Sequence, residues 1–213
     1  MMAPPQRILL VGAKGVVGRW VHQALQEAKH QVIAAGLEPA QGPDELQLDL
    51  ADTEGLLKAL RPLGPLDAVI STAGRAHFRA LGNVTPAPLQ LSVYGLGLQD
   101  KLMGQVNLAL AAREVLRPGG SITLTSGTTS AEPILGGSAL SMVNGALESW
   151  VRAAATELPQ GWRLNVVSPS LVEGTPAPAL AAFPGFEVVS GRRVALAYLR
   201  CLFSGITGEV LRV

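Results

Sequence analysis

This sequence of 213 residues contains one cysteine, few aromatic residues and no long hydrophobic run. The single thiol, Cys201, cannot form a disulfide within the chain, which fits a reducing compartment such as the cytoplasm. Cys201 lies in an apolar segment, so we interpret it as a core residue rather than a nucleophile. Glycine, proline and charge break the apolar residues into short runs, which predicts no membrane span. Residues 1–6 lead directly into the first such run, so we expect no signal peptide and a cytoplasmic protein.

Charged residues are also scarce, and their signs balance. Lysine and arginine total 17 against 16 aspartate and glutamate residues, a net charge of +1 that argues against a nucleic-acid surface. His22 and His30 have no partners at the spacing of metal ligands, so no metal site is predicted.

Short apolar runs alternate with helical patterns along the whole chain. The apolar runs occupy residues 8–11, 32–35, 46–50, 68–71, 121–125, 164–168 and 210–213. The helical patterns occupy residues 16–28, 54–60, 98–116, 143–158 and 193–203. This alternation predicts a single α/β domain, residues 1–213, with a Rossmann-like doubly wound parallel sheet of about seven strands and helices on both faces.

Local signals predict where elements begin and end. Asp52 or Thr53 can cap the helix at 54–60. The Pro-Gly-Gly sequence at 118–120 is expected to end the long helix before it. Residues 176–185, rich in proline, are interpreted as a loop or lid over the carboxyl ends of the strands.

The most informative segment joins the first strand to the first helix through Gly12, Gly15 and Gly18. Glycine lets a backbone approach a pyrophosphate closely, and a helix N-terminus offers free N–H groups and a positive dipole end. Because the glycines lie in the strand–turn–helix context that such a site requires, the segment predicts nucleotide binding.

Other segments follow in a recognisable order. Asp49-Leu50 ends the third apolar run, and Ser-Thr-Ala-Gly at 71–74 ends the fourth. Asn-Val-Val-Ser-Pro-Ser at 165–170 is followed by Thr175, and Ile-Thr-Gly-Glu-Val-Leu occupies 206–211. Together with the glycine loop, these segments resemble the short-chain dehydrogenase/reductase family over nearly the whole chain. Val16 stands where many members have a further glycine.

The resemblance implies an oxidoreductase that binds NAD or NADP and acts on a small carbonyl or alcohol. It implies that Asp49 accepts from the adenine amino group and that residues 165–175 hold the nicotinamide. The cofactor-binding residues implied are Gly12, Lys14, Gly15, Val16, Val17, Gly18, Leu37, Asp49, Leu50, Ala73, Gly74, Pro169, Ser170 and Thr175.

The family's proton-transfer pair is missing. Family enzymes place a tyrosine and, four residues later, a lysine on one helix face, where the ammonium lowers the phenol pKa. Residues 146–152 fix the register of that helix and put Leu140 and Asn144 at these positions. Leu140 cannot transfer a proton, and neither Tyr94 nor Tyr198 has a lysine four residues on. Whether the chain is an enzyme is therefore open at this stage.

Three residues are candidates to replace the pair, and each has a structural alternative. Lys101 stands where the family has an asparagine; it could bind an anionic substrate or donate a proton, or be a snorkelling or ion-paired lysine. Ser126 precedes Gly127, which occupies the family's serine position, and could contact a substrate carbonyl or only end a strand. His77 could serve as an acid–base group or lie exposed on its loop.

Three interpretations follow. The first is an NAD(P)-dependent oxidoreductase with an altered site. The second is a catalytically silent dinucleotide-binding protein, such as a redox sensor or scaffold. The third is a relative that binds no cofactor and keeps residues 12–18 only as a turn.

The cofactor choice and the assembly are also inferred by resemblance. Gly36 stands where an acid would favour NAD, and Leu37 where a basic residue would favour NADP. Glu38 could reach the ribose, whereas Lys14 could contact a 2′-phosphate, and the missing acid favours NADP. Family members commonly form dimers or tetramers. The extra apolar surface on the helix at 143–158 predicts a homodimer or homotetramer here.

Overall fold

The structure is a computed structural model that describes residues 4–159 and 161–213, with a seven-stranded parallel sheet at its centre. The strands are β1 (Arg7–Val11), β2 (Gln31–Gly36), β3 (Glu45–Gln47), β4 (Leu66–Ser71), β5 (Leu116–Thr125), β6 (Arg163–Ser168), β7 (Leu171–Val172), β8 (Val188–Val189) and β9 (Val210–Arg212). The order across the sheet is β3-β2-β1-β4-β5-β6-β9, while β7 and β8 pair separately. All seven predicted strands are confirmed, and strand order reverses between β1 and β4, the usual place for a ligand in such a sheet.

Helices cover both faces of this sheet. They are α1 (Val16–Glu27), α2 (Thr53–Leu60), α3 (Gly104–Ala112), α4 (Ser138–Ala154), α5 (Ala177–Leu180) and α6 (Gly191–Phe203). Alternate residues of β1 serve the two faces: Ile8 lies in the core beneath α1 and α6, and Leu9 in the core beneath α2, α3 and α4. The predicted doubly wound fold is therefore confirmed. None of the helices in the described residues is long and apolar enough to cross a membrane.

Several boundary predictions need correction. The strand predicted over 46–50 is Glu45–Gln47, and the helix predicted over 143–158 is Ser138–Ala154. The helix predicted over 98–116 consists of a π-helical segment, Gly97–Met103, followed by α3, which ends at Ala112. The Pro-Gly-Gly sequence at 118–120 does not end it, because these residues lie inside β5. The register between β4 and β5 shifts between Leu66 and Ala68, and this irregularity accommodates the glycines within the strand.

Other local predictions are confirmed. Asp52 caps α2, since its carboxylate accepts a hydrogen bond from the backbone N–H of Gly55 at 3.0 Å. Cys201 is buried in the core. The segment 176–185 contains the single-turn helix α5, which is too short to give a periodic sequence signal.

Candidate functional site

The glycine-rich turn brings the N-terminus of α1 against the end of β4. Gly12 has φ +84°, a conformation that favours glycine. A Cβ at Gly18 would overlap the carbonyl oxygen of Gly12, so the helix can approach the turn only without a side chain there. The hydroxyl of Thr72 donates to the carbonyl oxygens of Val11 and Gly12, both at 3.1 Å, and fixes the turn to β4. No side chain of the described residues caps α1, so its first N–H groups remain available to an anion.

A cavity of about 330 Å³ lies beside this turn, between β1, β2, β3 and β4; we call it the glycine-turn cavity. Six of the predicted cofactor-binding residues line it: Gly12, Lys14, Gly15, Leu37, Ala73 and Gly74. Glu45 and Leu46 of β3 also line it, and sequence reasoning missed them because β3 is short and carries no motif. The structure thus brings together residues from four separate segments of the sequence.

The remaining predicted cofactor residues lie outside the cavity lining. Val16 and Val17 form the first turn of α1. Asp49 comes two residues after the end of β3 and accepts from the N–H of Ala51 at 2.9 Å. Leu50 is buried and packs against Gly104 of α3.

Pro169, Ser170 and Thr175 follow β6. The N–H of Ser170 donates to the carbonyl of Val213 at 2.8 Å, and the Thr175 hydroxyl donates to that of Val172 at 2.7 Å. Their assignment to the nicotinamide remains a prediction.

Three charged side chains meet at the outer end of the glycine-turn cavity. The ammonium of Lys14 lies 2.9 Å from a carboxylate oxygen of Glu38 and 3.9 Å from one of Glu45. The hydrogen bond to Glu38, aided by the charge of both carboxylates, raises the pKa of Lys14. Lys14 therefore stays protonated at neutral pH and is shared by two acids.

Lys101 lies at the inner end of the same region, on the π-helical segment before α3. It is buried, and its ammonium donates to the carbonyl oxygen of Ser126 at 3.1 Å. Its stem runs directly beneath Gly74, where a Cβ would lie 2.7 Å from the Lys101 Cγ. Burial lowers the pKa of Lys101 to about 8, although the charge of Asp100 opposes the shift. Asp100 is itself paired with Arg75 at 2.8 Å.

The Ser126 hydroxyl is bonded to a second buried group, Glu148, which sequence reasoning did not identify. The carboxylate of Glu148, buried on α4, accepts from three serine hydroxyls and from a guanidinium. These partners, which with Glu148 form the Glu148 network, are Ser126 (2.9 Å), Ser130 (2.6 Å), Ser168 (3.1 Å) and Arg212 (3.0 Å). Ser126 thus contacts Lys101 through its carbonyl, while its hydroxyl is bonded to Glu148. The signal that could have revealed this network is a glutamate directly after the core residue Leu147 in an apolar helix.

The positions that the family gives to tyrosine and lysine carry no acid–base group here. Leu140 is half-buried on α4, and Asn144 is buried one turn further on. The amide nitrogen of Asn144 donates to the Thr129 hydroxyl at 2.8 Å, while its oxygen has no hydrogen-bond partner among the described residues. Tyr94 lies 3.3 Å from the Ser138 hydroxyl, before the π-helical segment. Tyr198 is buried on α6, where burial raises its pKa.

His77 does not join Lys101 and Ser126. It is exposed on the loop after β4 and lines a separate groove of about 790 Å³, together with Phe78 and Leu89. Among the residues that the structure describes, no group of histidine, cysteine, aspartate and glutamate is arranged to hold a metal ion.

Comparison with known proteins places most of the chain within one family. A family model described as enoyl-(acyl carrier protein) reductase matches residues 16–212. The L-xylulose reductase of Bos taurus is 27% identical over 180 residues, which cover 78% of this chain and 72% of that protein. The uncharacterized oxidoreductase YmfI of Bacillus subtilis is 29% identical over 185 residues, covering 78% and 74% respectively.

Solved structures agree with these matches. The protein lin1944 from Listeria innocua is 34% identical and superposes with a TM-score of 0.89, covering 98% of this chain and 99% of that one. A small-chain dehydrogenase solved in complex with NADPH is 24% identical, with a TM-score of 0.82 and coverage of 98% and 96%. At 24% identity, the similarity to the NADPH-bound dehydrogenase shows a common fold and nothing further.

Proposed function

Because the chain belongs to the short-chain dehydrogenase/reductase family, a family of oxidoreductases, we propose that it binds a nicotinamide dinucleotide beside Gly12 and reduces a small carbonyl compound or oxidises the alcohol.

The residues present fit a dinucleotide. The uncapped N-terminus of α1 offers its first backbone N–H groups to the pyrophosphate. Leu37 and Leu46 supply apolar walls of the cavity. The resemblance to the family gives Asp49, which lies outside the lining, the adenine contact. Ala73 and Gly74 line the cavity, and the Lys101 stem lies next to Gly74. The resemblance to the family assigns residues 169–175 to the nicotinamide. The bound cofactor supplies or accepts the hydride.

The observation that carries an enzymatic role is the buried ammonium of Lys101. Its one hydrogen bond to a described residue, to the Ser126 carbonyl, leaves two N–H donors for a ligand. With a pKa of about 8, the group is mostly protonated at pH 7 and can still release a proton. With a bound cofactor supplying the hydride to the carbonyl carbon, Lys101 would give its proton to the carbonyl oxygen, which would complete the alcohol. The amine then regains a proton from solvent.

Turnover of the Lys101→Gln variant tests this role. The purified protein is first titrated with NADH and NADPH by fluorescence and then screened with carbonyls and alcohols. Loss of a general acid typically lowers kcat by about 10²–10⁴-fold, and we expect that loss with the dinucleotide Kd nearly unchanged. Lys58→Gln is the matched control, because Lys58 is exposed on α2 and contacts only Glu54 at 3.8 Å among the described carboxylates. Unchanged turnover in Lys101→Gln would exclude Lys101 as the proton donor.

Ser126 and His77 are weaker candidates on the same geometry. The Ser126 hydroxyl is bonded to Glu148, and His77 lies in another groove. We therefore expect Ser126→Ala and His77→Ala each to lower kcat less than Lys101→Gln does.

The catalytically silent dinucleotide-binding protein remains the second candidate, and a specific observation favours it. Leu140 has no ionisable group, and the Asn144 amide nitrogen donates to the Thr129 hydroxyl. Saturable micromolar binding of a dinucleotide, with no turnover of any carbonyl or alcohol, would support this candidate over the enzyme.

We expect the protein to form a homodimer or homotetramer. Met103 at the end of the π-helical segment, Leu110 on α3 and Met142 on α4 are exposed apolar side chains on the outer helical layer. Light scattering at micromolar concentration tests this assembly, and a monomer would contradict it. The cytoplasmic location inferred from the sequence also remains a prediction.

A further inference from the structure

The outer end of the glycine-turn cavity holds one positive and two negative side chains. Lys14, Glu38 and Glu45 all line the cavity, and Lys14 is the single basic residue among the described residues that do so. The Glu45 carboxylate is held in place by the backbone N–H of Gln41, which donates to it at 3.0 Å. Glu45 is also the least exposed of the three, with 32% of its side chain accessible against 57% for Lys14 and 70% for Glu38.

This arrangement bears on the choice between the two nicotinamide dinucleotides. From the sequence, NADP is favoured because no acid stands at Gly36 and because Lys14 could contact a 2′-phosphate. In the structure its ammonium is already bonded to Glu38 at 2.9 Å and lies 3.9 Å from Glu45. A phosphate monoester carries about −1.5 to −2 charges at pH 7, so it would have to displace Glu38 and then remain beside Glu45. A 2′-hydroxyl, by contrast, can donate a hydrogen bond to a carboxylate.

Space does not decide between the two dinucleotides. Gly36 ends β2 and lines the cavity, and a Cβ built there would have no atom within 4 Å. A phosphate group therefore has room to enter. The discrimination must come from charge rather than from shape.

We propose that Glu38 and Glu45 make this site select NAD(H) over NADP(H) by neutralising Lys14 and repelling a 2′-phosphate. The inference rests on the proposed dinucleotide site. It reverses the preference expected from the sequence, because the two carboxylates outnumber the ammonium that was expected to bind the phosphate.

Fluorescence titration with NADH and NADPH tests the inference without any need for turnover. In the wild type we expect NADH to bind about tenfold more tightly, the ratio that corresponds to 1.4 kcal/mol. In the Glu38→Gln, Glu45→Gln double variant, NADPH should bind about tenfold more tightly than it binds wild type, with NADH affected about threefold or less. Adding Lys14→Met to the double variant should remove the gain for NADPH. Because the effect is electrostatic, the wild-type preference should also shrink as salt is raised.

Glu54→Gln is the matched control, because Glu54 is exposed on α2 and lies outside the cavity lining. Tighter binding of NADPH than NADH by the wild type, or an unchanged ratio in the double variant, would overturn the selectivity while leaving the dinucleotide site intact. If neither dinucleotide binds saturably to a protein with a cooperative thermal melt, the dinucleotide site itself is wrong and the selectivity with it.

Discussion

The sheet has two sides, one formed by β1, β2 and β3 and the other by β5, β6 and β9, which differ in the groups that lie at the carboxyl ends of their strands. On the side of β1, β2 and β3, the site is made largely of backbone and small residues: a glycine turn, an uncapped helix and a cavity lined by alanine and glycine. On the side of β5, β6 and β9, it is made of buried polar side chains, with Lys101 above the Glu148 network. The first side keeps the family's sequence pattern, and the second has lost it at Leu140 and Asn144.

The comparison shows that the fold and the chemistry depend on different parts of the chain. A dinucleotide site made of backbone persists as long as glycine remains where a Cβ would collide. A proton-transfer site depends on a few side chains and can be replaced while the strands beneath it stay fixed. Here the Glu148 network holds the strand ends together, because Ser126, Ser168 and Arg212 lie at the ends of β5, β6 and β9.

The largest expected effect concerns the backbone-made side. In Gly18→Ala, the new methyl group would overlap the Gly12 carbonyl oxygen, and the strand-to-helix turn would have to open. We expect a loss of about 4 kcal/mol or more in the free energy of unfolding, together with loss of dinucleotide binding. Urea denaturation and fluorescence titration measure the two effects.

Gly145→Ala is the matched control on the other side. Gly145 lies within α4, and a Cβ there has no neighbour within 4 Å. Alanine should therefore stabilise the protein by about 0.5–1 kcal/mol through its helix propensity. Equal effects of the two substitutions would contradict the distinction between the two sides.

The next largest effect concerns the side made of side chains. Glu148→Gln replaces the carboxylate that accepts from three serines and pairs with Arg212, so charge-assisted hydrogen bonds become neutral ones in a buried site. We expect a loss of about 3 kcal/mol in the free energy of unfolding. Glu157→Gln, an exposed carboxylate just after α4, should change it by less than about 0.5 kcal/mol. A Glu148→Gln variant as stable as the control would show that the network does not stabilise these strand ends.

The difference between the two sides also explains what the sequence could predict. Strand runs, helix periodicity and the glycine turn are local signals, so they located the sheet and the turn, and the resemblance to the family implied six residues of the cavity. Glu45 and Glu148 act through contacts with residues that are distant in sequence, so a local pattern does not identify their partners. The Pro-Gly-Gly sequence at 118–120 misled the prediction because a register irregularity lets a strand accept residues that usually end a helix.

The third largest effect is the pH dependence of stability that the buried ammonium of Lys101 causes. The unfolded chain keeps the Lys101 proton up to its usual pKa of 10.5, whereas the folded chain keeps it only up to about 8. The cost of burying the charge is therefore full below pH 8 and is relieved as pH rises towards 10.5. Lys101→Met removes this cost, so its stability advantage over wild type should shrink by about 2 kcal/mol between roughly pH 7.5 and 9.5.

The difference between variant and wild type is the quantity to measure by urea denaturation. Burial also raises the pKa of Cys201 to about 12, which lowers stability above pH 9 in both proteins and cancels in the difference. A pH-independent difference would mean that folding does not lower the pKa of Lys101, so that the folded chain keeps the proton over this whole range. The proposal that burial tunes Lys101 as a proton donor would then fail.

The smallest effect concerns two aspartates three residues apart on the backbone-made side. Asp52 caps α2 and lies outside the cavity lining, so Asp52→Ala should cost about 1 kcal/mol of stability and leave the dinucleotide Kd unchanged. Asp52→Asn should retain most of that stability, since an amide oxygen also accepts from the Gly55 N–H. Asp49→Ala should instead raise the dinucleotide Kd about fivefold through the loss of one hydrogen bond. The free energy of unfolding should change little. If Asp49→Ala leaves binding intact, the adenine contact inferred from the family does not exist in this chain, and its carboxylate serves only the turn at Ala51.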